Sequence, residues 1–367
     1  MNTTQLLNLA AFPSKNSNVR RKKSSLFDTI TLATGTTLYR PFTTSPGNIF
    51  LRNQPFPLSG QQIFWMTSLS MYLQTAVNSV ALYTGLIAAL QHSNIEVVID
   101  SKQYFKIPLL ECLSFNLVNY IGTSTPQNLK VNPVTRNKNF IIPILFNASS
   151  NVVVNLNIDA AFASAFNASN LSISFNGILT DKLDSELNYN PQQGKDLQDI
   201  AFTCYDTQQV TSANQTIFNF FAQAETNPND FSRIFPLSAT ERFEIQSLEA
   251  FVPGNSGATD LFSSVLNQRS TNYLTIKVDD VTYYESQLKD FLSTITNSGV
   301  VTFGDATPTL TNLMVTDLIY QRSTLEIPVI IPAQGKVSVQ LQQPGSSLNV
   351  NQYITLMLKG LIKRQVN

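Results

Sequence analysis

Apolar and polar residues alternate with a period of two in many short runs of this chain. Val152, Val154, Leu156 and Ile158 share one face of such a run, while Val153, Asn155 and Asn157 take the other. Leu171, Ile173 and Phe175 read the same way, as do Ile354, Leu356 and Leu358. That spacing marks strands with one face on a core. Turn-forming clusters separate the runs: Ser45-Pro46-Gly47-Asn48, Asn176-Gly177, Pro253-Gly254-Asn255 and Pro344-Gly345. Helical periodicity is scarce. One stretch stands apart, because from Asn53 to Asn94 no side chain carries a formal charge unless His92 does. Within it, Ala76–Leu90 reads as a buried helix or strand pair. A membrane span needs ~20 mostly apolar residues, and this run is shorter and interrupted by Asn78, Ser79 and Thr84.

The strand-like blocks occur twice. Phe56-Pro57-Leu58 returns as Phe235-Pro236-Leu237, and Val97-Val98-Ile99-Asp100 as Ile276-Lys277-Val278-Asp279, both at an offset of 179. Ile142-Pro143-Ile144 returns as Ile327-Pro328-Val329, and Val152–Leu156 as Val337–Leu341, at 185. Leu171, Ile173, Phe175, Gly177 and Ile178 match Ile354, Leu356, Leu358, Gly360 and Leu361 at 183. Blocks that keep their order while the offset drifts by a few residues are one fold used twice, with loops of unequal length. The period is domain-sized, far beyond a solenoid repeat. Each half is strand-rich and too short for an α/β barrel, so the fold class is all-β, with each half a sandwich or jelly roll and few short helices in the loops. The expected division is an N-terminal arm over 1–25, a first domain over 26–187, a linker over 188–199 and a second domain over 200–367.

Composition sharpens this picture. The 24 basic and 24 acidic residues cancel, and charged residues make up only 13% of the chain, about half the usual ~25%. Asn, Gln, Ser and Thr carry the polarity instead. Amides and hydroxyls cost much less to desolvate than ions, which suits a surface that other copies of the protein cover. Charge is unevenly placed. Residues 1–40 hold Lys15, Arg20, Arg21, Lys22, Lys23 and Arg40 against Asp28, and Lys359, Lys363 and Arg364 form a second basic spot near the C-terminus. The run Arg20–Lys23 has a bland reading, a solvated tail, and a functional one, contact with genome phosphates or an anionic membrane. Its place on an arm favours the second.

Chemistry is missing where catalysis would need it. His92 is the single histidine, so no histidine triad or cluster can form. Glu96 and Asp100 share a strand face, but Asp100 recurs as Asp279 before an equivalent turn, and an aspartate there caps the backbone. Trp65 is the only tryptophan, and no Gly-rich phosphate loop occurs. Cys112 and Cys204 lie in different halves without metal spacing. Met1–Phe12 has no basic run ahead of an apolar one, so no secretory signal is expected. No catalytic, cofactor-binding or metal-ligating residue, and no cofactor, is expected.

Tandem halves, a low-charge amide-rich body and a basic arm together make the chain resemble the double jelly-roll major capsid proteins of icosahedral viruses, most of all those of bacteriophages with an internal membrane. The resemblance spans about Ser25 to Arg364. It implies two tandem eight-stranded jelly rolls, homotrimers shaped as pseudo-hexagons, contacts with neighbouring capsomers and minor capsid or vertex proteins, and a place in the virion shell. It puts the basic ends at the base, facing lipid or genome. The loops Thr75–Asn94 and Pro253–Asn272 become exposed towers. Competing readings are a secreted two-domain jelly-roll hydrolase acting on glycans, and a minor vertex or receptor-binding virion protein.

Overall fold

The computed structural model describes residues 2–11, 19–43, 58, 60–75, 83–119, 129–184, 187, 197–212, 214–222, 229–232, 235–251, 272–287, 290, 292–293, 298–299, 314–315, 323–343 and 351–365. The first half contributes β1 (Arg21–Thr31), β2 (Leu38–Tyr39), β3 (Ile63–Leu73), β4 (Asn94–Ile99), β5 (Lys102–Pro108), β6 (Leu113–Asn119), β7 (Leu129–Thr135), β8 (Asn137–Asn147), β9 (Val152–Asn157) and β10 (Asn170–Thr180). Helices α1 (Thr3–Ala10), α2 (Tyr83–Gln91) and α3 (Ala160–Ala165) accompany them. Two antiparallel sheets result, ordered β1-β10-β3-β8 and β2-β9-β4-β5. This is the strand order of a jelly roll, and β6 and β7 form an additional hairpin.

The second half repeats the arrangement with β11 (Leu197–Gln209), β12 (Ile217–Phe220), β13 (Glu241–Phe251), β14 (Tyr273–Val278), β15 (Val281–Gln287), β16 (Leu292–Ser293), β17 (Ser298–Gly299), β18 (Met314–Val315), β19 (Ser323–Ile331), β20 (Val337–Gln342) and β21 (Tyr353–Gln365). Its sheets run β11-β21-β13-β19 and β12-β20-β14-β15, with β16 added beside β13. The protein is therefore a tandem of two eight-stranded jelly rolls. Each encloses its own apolar core, one built around Phe42, Phe64, Phe146 and Phe175, the other around Phe202, Phe218, Phe243 and Ile276.

The repeat extends to individual hydrogen bonds. Asp100 and Ser101 have φ of 50° and 65°, and Asp279 and Asp280 have 48° and 65°. Both pairs form hairpin turns of the type that needs two left-handed residues. Asn151 N–H donates to Asp100 Oδ1 at 2.8 Å, and Lys336 N–H donates to Asp279 Oδ1 at 2.9 Å. The duplicated aspartate thus ties each turn to the strand that follows in space. A second pair has the same logic. Phe42 N–H donates to the buried Asp28 at 2.6 Å, and Phe221 N–H donates to the buried Asp206 at 2.5 Å. Each bond holds a phenylalanine in the left-handed region, at φ 65° and 61°. Gly177 and Gly360 sit at matching β-bulges, where a Cβ would be driven into the carbonyl oxygens of Trp65 and Glu244.

Two expectations are corrected. Residues 1–25 do not form one arm: Thr3–Ala10 is helical, and Leu6 is buried with Ile63, Trp65, Ile178 and Leu187. Arg21–Ser25 open β1, held along its length by pairing with β10 from Arg21↔Thr180 onward. Backbone bonds thus order a segment whose side chains alone suggested a tail. The stretch Thr75–Asn94 is not an exposed tower over its described part. Leu86, Ile87, Ala89 and Leu90 of α2 are buried, because an uncharged apolar helix is better covered than solvated. Residues 253–271 of the other expected tower and the linker residues 188–196 lie outside the described residues, and 197–199 open β11.

The shared turns make a direct prediction. Asp100→Ala and Asp279→Ala should lower stability alike, by about 1 kcal/mol each, read as shifts in the urea midpoint. Gly177→Ala or Gly360→Ala should cost more than either, since backbone rather than side chain must move.

Candidate assembly interface

The two rolls meet along a seam. Strands β5 and β8, which end the two sheets of the first roll, lie against β11, which ends a sheet of the second. The outer face of that second-roll sheet is buried here, so Ala201, Tyr205, Phe251, Met357 and Leu361 join the first roll's core. Four charged side chains lie within this apolar contact. Glu111 follows β5 in a 3₁₀ turn (Leu109–Glu111), Lys138 is on β8, Glu249 on β13 and Lys359 on β21. None of the four side chains is more than 5% exposed. Lys138 Nζ lies 2.7 Å from Glu111 Oε2 and donates to Thr203 Oγ1 at 3.3 Å. Lys359 Nζ bridges Glu111 and Glu249. Arg136 closes the set, 3.9 Å from Glu249, with its guanidinium over the Phe251 ring and one nitrogen donating to Leu110 O at 3.1 Å.

Burial alone would raise the Glu111 carboxyl, but the fields and hydrogen bonds of Lys138 and Lys359 outweigh it and hold the group well below the usual carboxylate range. Burial pushes the Lys138 ammonium down to about 8, and attraction to Glu111 opposes the fall. Burial also raises the adjacent Cys112 thiol, which is free and buried and so stays protonated. The seam continues in neutral contacts. Gln91 Nε2 donates to Tyr353 O at 2.9 Å and Thr355 Oγ1 at 3.0 Å. His92 Nδ1 lies 2.6 Å from Asp230 Oδ1, and its ring packs perpendicular to that of Tyr353. Tyr205 Oη donates to Asn229 O at 2.8 Å.

The residues singled out in the sequence are distributed differently from expectation. Arg20 is exposed, and its backbone N–H donates to Asp181 at 3.0 Å. Arg21 donates through Nε to Asp184 at 2.6 Å, with both side chains buried. Lys22 and Lys23 are exposed on β1. The C-terminal basic spot is neutralised: Lys359 belongs to the seam, Lys363 lies 2.9 Å from Glu244, and Arg364 lies 2.6 Å from Glu241. Sequence reasoning missed Glu111, Lys138 and Glu249. Glu111 and Glu249 carried a signal, a charge interrupting an apolar run, in Leu109-Leu110-Glu111-Cys112-Leu113 and Leu248-Glu249-Ala250-Phe251, as Lys359 does in Leu356–Gly360, whereas Lys138, between Asn137 and Asn139, carried none. Among the described residues no group of His, Cys, Asp and Glu is placed to hold a metal, and no helix is long and apolar enough to cross a membrane.

No protein-family model and no curated protein matches the chain. Solved structures similar to it include three viral chains. The STIV MCP is 10% identical, with 94% of this chain and 97% of that one covered and a TM-score of 0.37. PBCV-1 VP54, fitted into a cryo-EM reconstruction of the virophage Sputnik, is 10% identical over 97% of both chains, with a TM-score of 0.39. A chain of Sulfolobus Turreted Icosahedral Virus is 9% identical, covering 94% of this chain and 90% of that one, with a TM-score of 0.34. The double jelly roll is seen in the strand orders themselves.

The seam should respond strongly to loss of one partner. Lys138→Met leaves Glu111 buried with a single lysine and should cost about 3–5 kcal/mol, whereas replacing the whole cluster with apolar residues of similar volume should cost far less. Acid should act through the same group. The folded-state pKa of Glu111 is depressed, so its stabilisation is complete above the ordinary 4.5 and is lost as pH falls below it. Thermal midpoints measured from pH 7 to 3 should drop below about 4.5, and less steeply in Glu111→Gln.

Proposed function

We propose that this chain is the repeating subunit of a virion shell, a major capsid protein acting as a structural element rather than an enzyme. The observation that carries the reading is the direction of the seam. The first roll meets the second through its β5–β8 side, and the second receives it on the β11 side. Among the described residues, that leaves the β1 side of the first roll and the β15–β19 side of the second as unmatched ends of a head-to-tail pair. A head-to-tail contact repeated between chains generates a ring when the rotation closes. Three chains give six similar rolls, a pseudo-hexagonal homotrimer able to tile an icosahedral lattice beside neighbouring capsomers and vertex proteins.

The surface supports this. The β15–β19 side exposes Val281, Tyr283, Ile327 and Ile330, with Ile327 82% accessible. Apolar residues grouped on a sheet edge are suited to burial against another subunit. The particle in this reading is that of a bacteriophage with an internal membrane, whose anionic face would meet Arg20 and Lys22 at the start of β1. Light scattering of the purified protein should give three times the chain mass, and a monomer that persists at high concentration would overturn the reading. Flotation with phosphatidylserine vesicles tests the membrane face: Lys22→Glu should reduce the bound fraction.

A further inference from the structure

The seam cavity has a counterpart on the first roll. Its second-roll wall includes, beside Phe202, the residues Ala201, Thr203, Ser247, Lys359 and Gly360. The strand registers assign each of these a first-roll equivalent. Cys204 pairs with Leu358 as Leu26 pairs with Phe175, and Ser247 follows the β13 bulge as Ser68 follows that of β3. The equivalents are therefore Lys23, Ser25, Ser68, Asn176 and Gly177. All five line a single open groove of about 850 Å³ on the outer face of the first roll, beside Thr3 and Leu7 of α1. Part of the surface that the second roll uses to receive the first is thus present again and, among the described residues, open, with α1 covering the neighbouring Trp65 and Ile178.

What filled the site once identifies what fits it again. The first-roll wall of the seam cavity includes Phe105, Asn139 and Ile141. Register places Tyr284, Thr324 and Glu326 at the corresponding positions of β15 and β19, since Ile330 pairs with Glu244 as Leu145 pairs with Trp65. One substitution between the repeats is paired. Ala201 and Ile141 share the seam cavity, and their equivalents are Lys23 and Glu326, both exposed and of opposite charge. The buried ions change in the opposite sense: Lys359 and Glu249 correspond to Asn176 and Ser70.

We propose that the groove beside α1 receives the β15–β19 side of a second copy of this chain, with Lys23 set against Glu326 of that copy. The inference rests on the head-to-tail reading above and deepens it. It assigns Lys23 to the joint between subunits, not to genome or lipid. The seam within a chain is sealed by buried ions. The joint between chains sets hydroxyl and amide groups of the groove and one exposed ion pair beside the apolar side chains of the β15–β19 side, which suits a contact formed after each chain has folded.

Charge reversal tests this on the full-length protein. Lys23→Glu and Glu326→Lys should each weaken association, roughly fivefold per joint for an exposed pair turned repulsive, read by sedimentation at low salt. The double variant should recover wild-type association, and added salt should weaken the wild type. Matching thermal midpoints will confirm that the variants fold. Single variants that associate like the wild type, or a double variant that does not recover, would overturn the assignment of Lys23 while leaving the oligomer in place. Loss of phosphatidylserine-vesicle binding in Lys23→Glu at unchanged mass would overturn it in favour of a lipid contact. A monomeric wild type would overturn the head-to-tail reading itself, and this proposal with it.

Discussion

A carboxylate as deeply buried as that of Glu111 requires cations around it. Stripping water from one such ion costs several kcal/mol even after relaxation, and Glu111 meets that cost with Lys138 from its own roll and Lys359 from the other. The second lysine matters most for architecture, because Lys359 also holds Glu249. The two rolls cannot slide or rotate against each other without exposing an unpaired charge to an apolar surface. Two sandwiches are thereby fixed in one relative orientation. The head-to-tail direction of the chain, and the geometry of any ring built from it, follow from that.

The repeat explains why the fold was legible in the sequence. Period-two alternation in Val152–Ile158 and Leu171–Phe175 identified strands, and the ordered matches between halves identified two copies of one domain. Asp100 and Asp279 stood out because their turns demand the same chemistry twice. Asp28 and Asp206 could have been found similarly, since Phe27-Asp28-Thr29 and Tyr205-Asp206-Thr207 are near copies; their role depends on a backbone N–H more than ten residues away, which local pattern does not reveal. Gly177 and Gly360 matched in the alignment, but the reason lies in a neighbouring strand's carbonyl.

The interface was less legible, for a physical reason. Charge along a sequence is counted without regard to burial, so Lys359, Lys363 and Arg364 looked like a basic spot. Each in fact faces a glutamate from another strand. Arg20–Lys23 looked like a tail because a strand at the edge of a sheet can be held by backbone bonds while its side chains remain polar. Helix α1 was missed because few residues fix it: Leu6, seated on Trp65 and Ile178 with Ala10 beside it, and Thr3, whose hydroxyl donates to Phe140 O. A charge inside an apolar run was the informative signal, and Glu111 and Lys359 both carried it.

Shape is the most direct test of the central claim, that one roll-to-roll contact is used both within and between chains. Electron-microscopic class averages of the purified oligomer should show a closed ring of six similar lobes with threefold symmetry. A two-fold particle with rolls packed back to back, or separate two-lobed chains, would contradict it.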